Sequence, residues 1–265
     1  MAELKLDIRK SLEKNAATYF ESAKKLKAKI EGINTTIEKF ENQLYNIESQ
    51  EKIAIEEQKK KAQKKLVEKK WFEKFHWFIS SEGFLCIGGR DATTNEVIIK
   101  KHVEKTDLVF HTESAGSPFF VIKSENKTPG AITIEECAGA TVSYSRAWKL
   151  GLASADVYWI LPEQISKQTP SGEFVPKGAF IIRGKKNIVP AQMKLAVGLA
   201  DDGKIMGGPP CAIAKHCKKF VFVVQGDDKT SDAAKKILKI LGGCDLNEVV
   251  AVLPAGGCRV SNSKI

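Results

Sequence analysis

From Leu26 onward the apolar residues fall at Leu26, Ile30, Ile33, Ile37, Phe40, Leu44 and Ile47, in alternating steps of four and three. A 3.5-residue repeat is a heptad seam, and it predicts a left-handed coiled coil. The seam lies in a stretch from roughly Ser11 to Phe75 that contains no proline and only Gly32 as glycine, so one long helix is expected. A strict repeat of this length needs a facing helix rather than an internal core. The pattern fades after Ala54, where Gln58 and Lys61 take seam positions. A lysine run follows: Lys59, Lys60, Lys61, Lys64, Lys65, Lys69 and Lys70. With Glu56, Glu57 and Glu68 beside them, these lysines read either as a solvated face or as a rail for phosphates.

A second pattern starts near Trp71. Two aromatic-rich strands, Trp77 to Ile87, flank the turn Ser80-Ser81-Glu82-Gly83. Short apolar runs at 107–111, 119–122, 157–160, 180–182, 194–197 and 220–223 read as further strands. A helix rich in small residues is expected from Thr133 to Leu150. Ser231 is placed as the cap of a helix through Ile237 and Leu241, and Asp245 as the cap of another ending at Pro254. Helices interrupt the strands only occasionally. This predicts an α+β chain: a long N-terminal coiled-coil helix, then a mixed β-sheet domain with flanking helices. The expected divisions are 1–70, 71–200 and a small C-terminal α/β appendage at 201–265.

Charge changes the picture next. The 265 residues carry a formal charge of +10 and a pI near 9.2, which favours polyanionic partners. No run of ~18 apolar residues is present to span a membrane, and the first residues lack an apolar signal segment. A cytoplasmic protein is expected. The six cysteines form no CxxC pair, and the Cys211, His216, Cys217 group has the wrong spacing for zinc. No metal and no cofactor are expected.

The densest candidate chemistry is Arg183-Gly184-Lys185-Lys186-Asn187, at the end of the strand around Phe180 to Ile182. Arg183 can grip a phosphate bidentately, the lysines act as mobile charges, and Gly184 permits close backbone approach. The alternative is a solvated basic turn that protects a sheet edge. Trp71, Phe72, Phe75, Trp77 and Phe78 lie among basic residues and read either as base-stacking groups or as core. Arg90 and Asp91 read as a salt-bridged turn that orients the helix bearing Lys100, Lys101 and His102. No HExxH, GxSxG or GxxxxGK[ST] pattern occurs, and His111 has no evident nucleophile beside it, so no catalytic residues are assigned.

Three segments in order carry a resemblance: KKWFEKFHWFISSEGFLCIGGRDATTNE from 69, HTESAGS at 111–117, and ISKQTPSGEFVPKGAFIIRGKKN at 165–187. They resemble the RNA-binding domain, NFACT-R, of the NFACT family of NEMF and RqcH, which acts in ribosome-associated quality control. The N-terminal stretch with Asp7, Ser11, Asn15, Tyr19 and Lys24-Lys25 is similar to the family's second coiled-coil helix. The segment from Gly208 to Val260 resembles the C-terminal region of archaeal members. The resemblance implies an RNA-binding set of Arg90, Lys100, Lys101, His111, Ser117, Lys167, Arg183, Lys185, Lys186 and Asn187. It implies tRNA and/or large-subunit rRNA and the ribosome as partners. The NFACT-N domain, the helix-hairpin-helix element and the first coiled-coil helix of the family are missing from this sequence. The seam therefore calls for a homodimer or a separate NFACT-N-containing polypeptide. A protein-recruiting scaffold without RNA contact, and an uncharacterised RNA-processing enzyme near His111 and Arg183, stay open as alternatives.

Overall fold

The computed structural model describes residues 5–65, 70–168 and 175–261, and the chain divides into two compact units at Lys69/Lys70. The first unit is built on helix α1, Leu12–Lys65, which at ~1.5 Å per residue is about 80 Å long. Its start is pinned by Asn15, a buried amide whose Oδ1 accepts Asp7 N and whose Nδ2 donates to the carbonyls of Asp7, Lys10 and Ser11. The seven seam residues are all 48–60% exposed. Trp71 to Phe75, expected at the end of the long helix, instead form a turn of the second unit. Lys69 lies outside the described residues.

The second unit contains two main antiparallel sheets. Strands β1 (His76–Ile79), β2 (Leu85–Gly88), β3 (Leu108–Thr112), β4 (Phe120–Lys123) and β5 (Val157–Ile160) join β8 (Asn187–Val189) in the order β1-β2-β4-β3-β5-β8. The short pair β6 (Ile165–Ser166) and β7 (Ile181–Ile182) forms an arm between β5 and β8. Helices α2 (Ala92–Lys101), α3 (Ala131–Ser143) and the single turn α4 (Arg146–Lys149) connect the first strands. The second sheet has the order β10-β9-β11-β12, from β9 (Leu195–Ala200), β10 (Ile205–Gly208), β11 (Cys217–Asp228) and β12 (Cys258–Ser261). Helices α5 (Pro210–His216), α6 (Thr230–Leu241) and α7 (Leu246–Val252) accompany it. Every described strand pairing is antiparallel, so the α+β class holds while the sheet is not mixed.

Three other expectations change. β9 and β10 pair in register, so a boundary at residue 200 would cut one sheet. The helix expected over 133–150 breaks at Tyr144 and Ser145, where Ser145 Oγ caps α4 and Arg146 N donates to Gly116 O. Ser231 lies inside α6, whose cap position is Lys229 with no side-chain cap bond, whereas Asp245 does cap α7 by accepting from Asn247 N.

Alternation sets the two faces of the six-stranded sheet. Phe120 stacks toward Tyr144 at the end of α3, so its neighbour Phe119 faces the other way, where it meets Phe180 of the arm. Tyr144 also binds across layers, its hydroxyl donating to Val252 O at 2.8 Å, and Trp148 Nε1 donates to Gly257 O at 3.0 Å. Asp107 and Lys123 form a buried pair at 2.5 Å that is completed by Ser124 N, Glu104 N and His102 O, so neither charge is left uncompensated.

Candidate nucleic-acid interface

The basic turn is built before any ligand arrives. Gln164 Nε2 donates to both Arg183 O and Lys185 O at 2.9 Å, its Oε1 accepts Leu161 N, and its carbonyl accepts Arg183 N. Gly184 has φ +83, and a Cβ there would lie 3.0 Å from Gln164 Nε2. The glycine thus serves the left-handed backbone and the approach of Gln164, which differs from the expected role in approaching a ligand. Arg183 and Lys185 are exposed, and the Arg183 guanidinium donates to Gln168 O at 2.9 Å. Lys186 lies over the Tyr158 ring at 4.4 Å and pairs with Glu113 at 2.8 Å. Asn187 Nδ2 donates to Trp159 O, which fixes the start of β8.

A second group gathers on α2. Glu96 accepts Lys100 at 2.6 Å, Lys167 at 2.9 Å and Gly178 N at 3.1 Å, so one carboxylate ties the arm to the helix. These bonds hold its pKa down at about 2. Lys167 also lies over the Phe180 ring at 4.9 Å. Lys101 is exposed. Residues 169–174, inside the third motif, lie outside the described residues.

The remaining expected contacts serve the fold in this structure. The Arg90 guanidinium donates to Phe75 O at 2.9 Å and Glu73 O at 3.4 Å, while Asp91 caps α2 in a box with Thr94. The pair orients the helix, as expected, through backbone bonds rather than through a salt bridge. Ser117 is buried, accepts Thr112 N and donates to Pro118 O. His111 Nδ1 lies 2.6 Å from Thr112 O, which requires its N–H there, and the ring packs on Phe119. Burial first, and then Lys186, hold the His111 pKa below its ordinary value. The imidazole is therefore neutral, and with the Ser117 hydroxyl bonded to Pro118 O these two do not form a nucleophile–base pair. No group of metal-ligating side chains occurs among the described residues.

The Ser80–Gly83 motif is likewise a folding device. Glu82 accepts Thr133 N at 3.1 Å and so caps α3, whose own cap residue, Gly130, has no side chain to do so. A Cβ at Gly130 would lie 2.1 Å from that carboxylate. Glu136 accepts Ser81 N at 2.8 Å, and His216 Nε2 lies 2.9 Å from Ser80 O. Of the expected stacking segment, Phe72, Phe75, Trp77 and Phe78 are buried core.

The geometry defines an α+β domain with a preorganised basic turn beside a lysine-bearing helix. Residues 74–184 match the family model described as the NFACT protein RNA binding domain. The chain is 43% identical over 208 residues to the archaeal Rqc2 homolog aRqcH of Methanocaldococcus jannaschii, covering 76% of this chain and 30% of that protein. It is 41% identical over 121 residues to the human ribosome quality control complex subunit NEMF, covering 45% and 11%. It is 28% identical over 204 residues to ribosome quality control complex subunit 2 of Saccharomyces cerevisiae, covering 73% and 19%. The chain belongs to the NFACT family. It spans less than a third of the length of each of these relatives.

Proposed function

We propose that this chain is a non-catalytic RNA-binding module of ribosome-associated quality control in the cytoplasm. In this reading it engages tRNA and/or the large ribosomal subunit that carries a stalled nascent chain. The relatives named as quality-control proteins, and the RNA-binding description of the matched domain, support the setting. The observation that carries the reading is the turn of Arg183, Lys185 and Lys186, held in shape by Gln164 with two of its cations exposed. Preorganised cations bind a phosphate backbone without first ordering a loop. Glu113 and Glu96 act as internal counter-charges that phosphates displace or supplement.

Replacing Arg183, Lys185 and Lys186 together with alanine tests this. RNA affinity falls, and the slope of log K against log salt becomes shallower by about 0.7 per lost single-strand phosphate contact. A folded triple variant with unchanged affinity and slope removes the turn from the site. The exposed seam of α1 favours a protein contact in addition, either a second copy or an NFACT-N-containing polypeptide.

A further inference from the structure

We infer that Trp71 is a stacking platform for one unpaired nucleobase, beside the lysines that end α2. The inference rests on the RNA-binding reading and names the kind of RNA: a single-stranded or looped segment rather than a continuous duplex. Most aromatics of segment 71–78 are core, but the Trp71 indole is 44% exposed. One face stacks on the His102 imidazole, with centroids 4.4 Å apart and planes 13° from parallel. The rings of Phe72 and Phe75 abut it edge-on. Among the described residues, no other ring stacks on the indole.

A lone exposed apolar side chain on a surface is ordinary. Trp71 differs because the residues on either side of it in the turn are tied down. Arg90 holds the carbonyls of Glu73 and Phe75, and the Glu73 carboxylate accepts Lys70 N at 3.0 Å and pairs with Lys204. His102 is fixed in turn, because its carbonyl accepts the buried Lys123 ammonium at 2.8 Å. The indole is therefore a rigid plane, presented at little entropic cost. Lys70, Lys74 and Lys101, all exposed, stand around it in the chain and at the end of α2. A flat ring with cations for the flanking phosphates is what an unpaired nucleotide requires, since every base has a π-face. In a continuous duplex the base faces are stacked on one another and closed to the indole.

The test uses the full chain, with a labelled oligouridylate and an RNA duplex of the same length as probes. Trp71→Ala weakens oligouridylate binding by about 10-fold, within the range for loss of one base stack. The salt slope stays unchanged, because no ion pair is lost. Trp71→Phe retains most of the affinity, and duplex binding is unaffected by either variant. Oligouridylate also quenches the wild-type tryptophan fluorescence, and Trp71→Phe abolishes that quenching. Unchanged oligouridylate affinity in Trp71→Ala, an equal loss on duplex, or a shallower slope overturns the inference. Quenching that persists in Trp71→Phe overturns it even if the alanine variant fails to fold. A wild type that binds no RNA overturns the RNA-binding reading with it, whereas failure at Trp71 alone leaves the Arg183 turn standing.

Discussion

His76 shows how a single side chain sets a condition on the whole fold. It is buried on β1, its ring stacks on Tyr144 at 4.0 Å, and its Nδ1 has no hydrogen-bond partner. Burial first, and then the Arg90 charge, push its pKa down to about 3. Unfolded, the same residue titrates near its ordinary 6.5. Between those values the unfolded chain binds a proton that the folded chain refuses. The contribution of neutral His76 to stability is thus complete above pH 6.5 and is lost as pH falls toward 3, at up to about 1.4 kcal/mol per pH unit. Urea midpoints at pH 7 and pH 5 should therefore differ, and His76→Phe should narrow the difference by removing the group. A wild type equally stable at both pH values, or a variant that keeps the full drop, contradicts this account. Glu96 is shifted in the same direction, and its clamp on Lys100, Lys167 and Gly178 N persists as pH falls to about 2.

Among elements, those with a local pattern were legible in the sequence. The seam of α1 is a heptad repeat, although its residues are exposed here, and the hairpin around Ser80–Gly83 and most strands of the first sheet are short apolar runs that are buried almost throughout. β10 was not legible, because Ile205-Met206-Gly207-Gly208 before two prolines reads as a turn. Its glycines are packing positions: a Cβ at Gly207 would lie 2.7 Å from the Tyr144 hydroxyl, and one at Gly208 2.9 Å from Phe78. The candidate site divides the same way. The Arg183 turn is visible as clustered charge, and Glu96–Lys100 as an i,i+4 pair. Gln164 carries no local signal, because the carbonyls it fixes are 19 and 21 residues away. α1 yields a prediction of its own. Its seam side chains are each worth roughly 1.5–3 kcal/mol if fully buried, so the isolated chain should associate through them. Sedimentation at tens of micromolar should show a dimer for wild type and a monomer for the Ile33→Asp, Ile37→Asp variant. A monomeric wild type with an intact helix refutes the pairing.

At the scale of the whole molecule, the question is how the two units share the work. The second unit has two hydrophobic cores, with Tyr144 and Trp148 bonded from the first sheet's helices into the second layer. Its cohesion depends on its own residues, so a chain starting at Lys70 should fold alone with a single cooperative transition. The basic charge, by contrast, is spread over both units. Lys59, Lys60, Lys61, Lys64 and Lys65 lie on α1, while the Arg183 turn and the α2 lysines lie in the second unit. If both groups meet phosphates, the shortened chain keeps the loss caused by the Arg183, Lys185, Lys186 substitution. Its salt slope on a structured RNA is shallower than that of the whole chain, by about 0.7–0.9 per phosphate contact that the lysine run supplied. If the lysine run is only a solvated face, the two slopes coincide. Measuring both chains across the same salt series decides between them. A shortened chain that fails to fold would show instead that the second unit's cores do not suffice without the helix.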